Sequence, residues 1–241
     1  MADPGQSGRL RPSDVAWEQF HDPHGRPTSP VRVLHVADPY TLEVDFPPDF
    51  YAGDHWHPGD TIYIITKGQM RIGAEGIFEP GDIRWVRAGH VYGPEEAGPD
   101  GVTFFLVSLG GPLDLNWADI EDVPEDLKQR LDLLTDVWGR VTFDNVISTH
   151  EDGLEVKILS AENPHLRWER AAPGYKADGG APEKANLTLI LAGSLEVDGE
   201  GTYKSHDFRW TRDNSNSPAE TAGEEGFTRI VIDLATNLRP N

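Results

Sequence analysis

Thr61-Ile62-Tyr63-Ile64-Ile65-Thr66-Lys67-Gly68 has a counterpart 125 residues further along the chain, Asn186-Leu187-Thr188-Leu189-Ile190-Leu191-Ala192-Gly193. Each is a run of apolar and β-branched residues that ends at a glycine, the pattern of a buried strand entering a turn. The same offset carries Gly76 onto Gly201, Asp82 onto Asp207, Arg84-Trp85 onto Arg209-Trp210 and Gly101 onto Gly226, and it carries Val33 onto Ile158 and Val107 onto Ile232. The frame holds without a gap across roughly eighty residues, which identifies an internal duplication. What the copies share is turn glycines and strand apolars, the positions that a β scaffold needs.

Composition agrees. Twenty-five glycines and nineteen prolines in 241 residues are too many for a helical bundle and suit short strands punctuated by turns, so an all-β protein is expected. A hydrophobic content of 37% supports ordinary globular cores. The formal charge of −20 disfavours nucleic acid and anionic membranes as partners. The absence of cysteine removes disulfides, thiolate ligands and cysteine nucleophiles together, so any metal must be held by nitrogen and oxygen. The opening MADPGQSGRLRPSD lacks the apolar stretch of a secretion signal, and no run approaches the ~20 apolar residues of a membrane span. A soluble, cytoplasmic protein is the expectation.

Between the copies, Leu127, Leu131, Leu134 and Val137 fall at helical spacing, with Pro124, Glu125 and Asp126 in the first turn and Gly139 beyond the last. This predicts a helix over about 124–138 within a linker at 111–153. Residues 31–110 and 154–241 then form the two barrels, and 1–30 an extension read as a partly disordered tail in which Val15-Ala16-Trp17 can anchor.

From Asp54 to Pro94 the first copy resembles the cupin superfamily, whose first motif is G, five residues, HxH, three or four residues, E, six residues, G. His55-Trp56-His57 supplies the HxH, Thr61 stands at the glutamate position, and Gly68 follows at the expected distance; the opening glycine falls on Asp49, with Gly53 as the nearest substitute. The second motif maps onto Gly81, Arg87-Ala88-Gly89 and Tyr92, with Arg87 in place of the proline and Tyr92 in place of the last histidine. The resemblance implies two cupin jelly-roll barrels joined by a linker with one α-helix, a bicupin layout similar to quercetinase-like and pirin-like proteins.

The resemblance further implies a metal in the first barrel. His55 and His57 share one face of a strand, and His90 shares a face with Tyr92 if that stretch is extended. His55, His57 and His90 are therefore the candidate ligands, with Asp60 as a further candidate that is more simply read as an exposed turn residue. Tyr63, Tyr92 and His90 are candidates for proton transfer, Tyr63 because some similar cupin lyases carry a catalytic tyrosine there. Trp56 and Trp85 are read as wall or core, and Arg84, repeated as Arg209, as half of a structural ion pair. In the second copy, His55, His57, Thr61, His90 and Tyr92 become Gly180, Pro182, Asn186, Ser215 and Ser217, which cannot hold a transition metal.

Three-histidine cupin sites suggest Fe(II), although Mn, Ni, Cu and Zn also accept imidazole. The leading expectation is a metal-dependent enzyme acting on a small molecule, of the oxygen-dependent dioxygenase or oxidase type. A redox-neutral isomerase, cyclase or lyase is the alternative within enzymes, and a non-catalytic small-ligand-binding cupin the alternative outside them. Monomer and homodimer are both open, because the duplicated barrels can pair within one chain.

Overall fold

The computed structural model describes residues 8–36, 38–141, 148–160, 165–180, 185–211 and 216–234. The chain divides into two compact units, one of Val15–Val141 and one that joins Met1–Asp14 to Thr142–Asn241. Each is built on a nine-stranded antiparallel sheet, so the all-β fold read from composition and repeat is the fold observed. One α-helix, Glu125–Asp132, is present among the described residues, and no helix there is long and apolar enough to cross a membrane.

In the first unit the strand order is Trp138–Val141, Ile83–Val86, Asp60–Ile72, Glu95–Leu109, Tyr40–Phe46, Pro27–His35, Glu18–His21. In the second it is Gly8–Leu10, Phe208–Thr211, Asn186–Val197, Glu220–Asp233, His165–Ala171, Leu154–Ser160, Ser148–Glu151. The duplication extends to register. Phe104 faces Ile65 and Val44 in one sheet, and Arg229 faces Ile190 and Glu169 in the other, each shifted by 125. Long-range pairing has thus kept the frame seen in the sequence.

Two glycines explain why the frame could not slip. Gly68 has φ +72°, and a Cβ there would stand 2.0 Å from the carbonyl oxygen of Gly101; at Gly193, with φ +73°, the corresponding distance to Gly226 is 2.1 Å. Only glycine permits this approach of two backbones where the central strands bulge. The Arg84–Glu75 pair is duplicated too. Arg84 Nε and Nη2 donate to Glu75 at 2.6 Å each, and Arg209 Nε and Nη2 donate to Glu200 at 3.0 and 2.8 Å.

Three segments differ from their sequence expectations. The stretch before Val31 is not merely a tail: Gly8–Leu10 pairs with Phe208–Trp210, and Glu18–His21 pairs with Pro27–Val31. Trp17 remains 41% exposed, with the Arg32 guanidinium 4.3 Å from its ring centre. The helix ends at Asp132 rather than near 138, because the Leu133 and Leu134 amides turn back onto the carbonyls of Arg130 and Leu131. Trp138–Val141 is instead taken up by Ile83–Val86 as an edge strand. Ladder hydrogen bonds there outweigh the apolar helical spacing, and they cover a sheet edge.

The two interiors differ in chemistry. Leu42, Val44 and Phe104 of the first unit are Arg167, Glu169 and Arg229 in the second. Arg229 donates to Glu169 at 2.6 Å and to Glu220 at 2.8 Å, and Arg167 donates to Glu169 at 2.5 Å. A buried ion network occupies what is an apolar wall in the first unit. Removing one member of such a network leaves its partners charged and unpaired. Arg229→Met is therefore expected to destabilise the protein by about 3–5 kcal/mol in urea unfolding. Replacing Arg167, Glu169, Arg229 and Glu220 together by Leu, Val, Phe and Gln should recover most of that loss. A negligible effect of Arg229→Met would show that the network contributes nothing.

Candidate functional site

The short strand His55–Trp56 sends alternate side chains to opposite faces. Trp56 turns to one side, where its indole N–H donates to the Glu121 carbonyl at 3.1 Å. His55 and His57 turn to the other, both buried, with ring centres 5.4 Å apart. His55 Nδ1 lies 2.8 Å from the Gly53 carbonyl oxygen and His57 Nδ1 lies 2.8 Å from that of Asp114. A carbonyl can only accept, so both Nδ1 atoms carry the proton and both Nε2 atoms are left with a lone pair.

Burial disfavours the charged form of both rings, with the Arg84 guanidinium adding to the effect. His55 is lowered to about 4 and His57 to about 3. Both are neutral near pH 7.

A residue outside the sequence expectations completes the cluster. Glu95 opens the strand Glu95–Leu109, is 2% exposed, and places Oε1 3.9 Å from His55 Nε2. That is too long for a hydrogen bond. Both atoms are buried without a hydrogen-bond partner. Desolvation pushes the Glu95 carboxyl up to about 7, against the Arg84 charge and a hydrogen bond from Tyr63, which pull it down. In the second unit the equivalent Glu220 is bound by Arg229. Phe104 holds that place in the first unit, which is why Glu95 Oε1 lacks a cation. In the structure Glu95 and Ala97 are buried while Glu96 is exposed, an alternation that the sequence of this stretch does not announce.

Tyr63 and Tyr92 are hydrogen-bonded through their hydroxyls. Tyr92 is joined to His55 by a backbone bridge with both N–H···O distances at 3.0 Å, and their rings are 4.5 Å apart. The Arg84 guanidinium lies 4.1 Å from the Tyr92 ring centre and 5.2 Å from that of Tyr63. Burial raises the pKa of both phenols, so they remain protonated.

The other expected residues fall elsewhere. The Asp60 carboxylate accepts from the Ala88 amide at 2.8 Å, from Arg87 at 3.1 Å and from Arg130 at 3.1 Å. It ties the turn and the helix to the central strand, and its charge is already matched. His90 is half-buried, with its ring parallel to that of Tyr92 at 6.5 Å. Thr61 is buried, and its hydroxyl has no partner. Among the described residues no three His, Asp or Glu side chains already stand close enough to hold an ion, so neither His55, His57 and His90 nor His55, His57 and Glu95 form an assembled ligand set. Of the second-copy counterparts, Pro182 and Ser215 lie outside the described residues.

His55, His57, Tyr63 and Glu95 line a cavity of about 50 Å³, together with Thr28 and Ser29. Phe46, Phe50, Leu42, Val44, Phe104 and Trp117 are in its wall. Trp117 is fixed by donating its indole N–H to Asp22 at 2.6 Å. Burial opposes the Asp22 charge, but hydrogen bonds from the Arg26 amide, Trp117 and the Arg26 guanidinium outweigh it and hold the carboxyl at about 2.

His55 and Glu95 offer two donors of a kind that divalent transition metals accept. Two neutral imidazoles present Nε2, each oriented by a hydrogen bond at Nδ1, the arrangement metal-ligating histidines usually have. Metal–ligand bonds of about 2.0–2.2 Å let two donors of one ion lie up to about 4 Å apart, so the 3.9 Å between His55 Nε2 and Glu95 Oε1 is within reach.

No family model and no curated protein matches this chain in sequence. Solved structures do match in fold. A candidate dioxygenase of Nostoc punctiforme superposes with a TM-score of 0.74 at 19% identity, covering 99% of this chain and 89% of its own. A Bacillus subtilis oxalate decarboxylase gives 0.65 at 13% identity, covering 99% and 80%. The Lactobacillus farciminis oxalate decarboxylase in its formate complex gives 0.63 at 12%, covering 97% and 87%. At these identities the likeness is one of fold, and the chain has the cupin β-barrel architecture.

Proposed function

We propose that the first barrel is a metal-dependent cupin enzyme acting on a small organic molecule, with His55, His57 and Glu95 as ligands of one divalent transition metal. The observation that carries this reading is the pair of buried, unpartnered atoms His55 Nε2 and Glu95 Oε1 at 3.9 Å. Two imidazoles and one carboxylate suit Fe(II) with open positions, and Mn, Ni, Cu and Zn accept the same donors. When bound, the ion supplies Lewis acidity and, as Fe(II), electrons for dioxygen chemistry.

The chain's own groups supply the rest. The Gly53 and Asp114 carbonyls fix the two rings so that only Nε2 is offered. Tyr63 hydrogen-bonds Tyr92 and, with Glu95 in the same cavity wall, can hold or pass a proton between the carboxylate and the second phenol. Arg84, locked by Glu75, positions the two phenol rings. His90, half-buried beside Tyr92, is assigned to proton exchange rather than ligation. The apolar wall excludes water and accepts dioxygen without loss of solvation, which favours an oxygen-dependent oxidation or cleavage. A redox-neutral isomerase or lyase is the second reading, supported by a carboxyl near 7 in contact with a phenol, a pairing suited to moving protons at neutral pH.

Untagged protein purified without chelators and reconstituted anaerobically with Fe(II) is expected to hold about one metal per chain by inductively coupled plasma mass spectrometry. His55→Ala/His57→Ala should abolish binding, and Glu95→Gln should weaken it by about tenfold or more. Persistent absence of metal would sink the proposal. Oxygen uptake during turnover separates the two enzyme readings.

Acid stability offers an independent check on chelator-treated protein. Unfolded imidazoles titrate near 6.5, whereas the folded ones stay neutral down to about 4 and about 3. Between those values the unfolded state binds more protons, so their contribution is complete above ~6.5 and is lost as pH falls toward 4. His55→Gln/His57→Gln should flatten the fall in melting temperature over that window. Identical slopes would show that the histidines are not held neutral.

A further inference from the structure

We infer that Trp117 controls access to the first barrel's interior: its indole separates the cavity lined by His55 and Glu95 from a larger outer basin, and Asp22 latches it in place. The inference rests on reading that cavity as the reaction site.

Size is the first observation. The cavity measures about 50 Å³, a third of the ~150 Å³ that holds a benzene molecule. A few waters or dioxygen fit, but an organic substrate enters only if part of the wall moves. A basin of about 730 Å³, bordered by Arg26, Tyr51, Asp54 and Asp119, adjoins it. Ala52 and His55 line the cavity while Tyr51, Gly53 and Asp54 line the basin, so one stretch of chain runs between the two spaces. Among the described residues Trp117 alone lines both.

The mounting of Trp117 is the second observation. It stands on the two-residue strand Asn116–Trp117, which pairs with His55–Trp56 and lies outside the nine-stranded sheet. In that pairing Trp117 is opposite His55, and the two rings are 6.0 Å apart, edge to face. Trp117 is only partly buried, so its side chain has solvent to turn into.

The latch is the third. The indole N–H donates to Asp22 Oδ2 at 2.6 Å. Arg26 Nε donates to the same oxygen at 2.6 Å, and its guanidinium lies 5.2 Å from the indole ring centre. Asp22 Oδ1 accepts the His24 and Arg26 amides at 2.9 and 2.8 Å. Turning the indole away breaks one charge-assisted hydrogen bond and leaves the carboxylate with its other three. Asp22 is thus an anchor that stays in place when the ring leaves. Opening joins the two spaces, so that the body of a substrate rests in the basin with its reactive end toward His55 and Glu95.

The test is carbethoxylation of His55 by diethyl pyrocarbonate, followed by peptide mass spectrometry on the metal-free full chain. The reagent attacks an unprotonated imidazole nitrogen and is too large for the closed cavity, so its rate reads opening without a metal or a known substrate. In the wild-type chain His55 should react at least about tenfold more slowly than the exposed His24. Trp117→Phe keeps a ring in the wall but cannot donate to Asp22, and should speed the reaction of His55 by about tenfold or more. Trp117→Leu should do the same and serves if the first variant does not fold. Phe50→Leu, which trims a residue that lines the cavity but not the basin, should leave the rate unchanged. The inference is overturned if wild-type His55 reacts as fast as His24, if a folded Trp117 variant keeps the wild-type rate, or if Phe50→Leu speeds the reaction as much as the Trp117 variants. Failure of the metal reading would appear instead in the metal content and leave these rates as they are.

Discussion

The antiparallel ladder between Asp60–Ile72 and Glu95–Leu109 is the constraint on which the first unit depends. Its register is fixed where Gly68 and Gly101 approach more closely than any Cβ allows, and the same contact recurs at Gly193 and Gly226. Because side chains alternate along a strand, that single register decides which residues face inward over the whole sheet. Tyr63 and Glu95 reach the same interior from opposite strands of this ladder. His55 joins them through its backbone bridge to Tyr92. A slip of one residue in either strand would turn its own member of the pair, Tyr63 or Glu95, away from the histidines.

With the scaffold common to both units, function is decided by what fills the interior. In the second unit Arg167 and Arg229 balance Glu169 and Glu220, and Arg209 is held by Glu200. In the first unit the Arg84–Glu75 pair is retained, but the central cation is gone and an apolar wall stands in its place. The retained pair is therefore architectural, as its repetition suggested. The lost one marks where the two interiors diverged in use.

Much of this was legible in the sequence. The duplication, the strand runs ending in glycine and the inward pairing of His55 with His57 follow from period and spacing alone, because each depends on local alternation. Glu95 was not legible, since its importance lies in lacking the partner that Glu220 has, and that requires knowing that Phe104 and Arg229 share a register position. Asp60 was misjudged for a similar reason. Arg87 and Arg130 bind it across 27 and 70 residues, and no local pattern reports such a contact. The helix was overextended because Trp138–Val141 had a sheet edge to cover, a demand that helical periodicity does not register.

The unpartnered atoms are themselves an argument about use. A buried acceptor without a donor costs of order 1–3 kcal/mol, and a carboxyl more when charged. The second unit shows that one arginine at the position of Phe104 relieves this at Glu220 without changing the sheet. The first unit leaves Glu95 Oε1 and His55 Nε2 unsatisfied, with both imidazole Nδ1 atoms already committed to carbonyls. A buried polar group left this way calls for an explanation, and a bound cation is the one proposed above. On the reading proposed above, the His55 Nε2 and Glu95 Oε1 lone pairs are donors that a cation would meet. That combination links the cost in stability to the proposed chemistry.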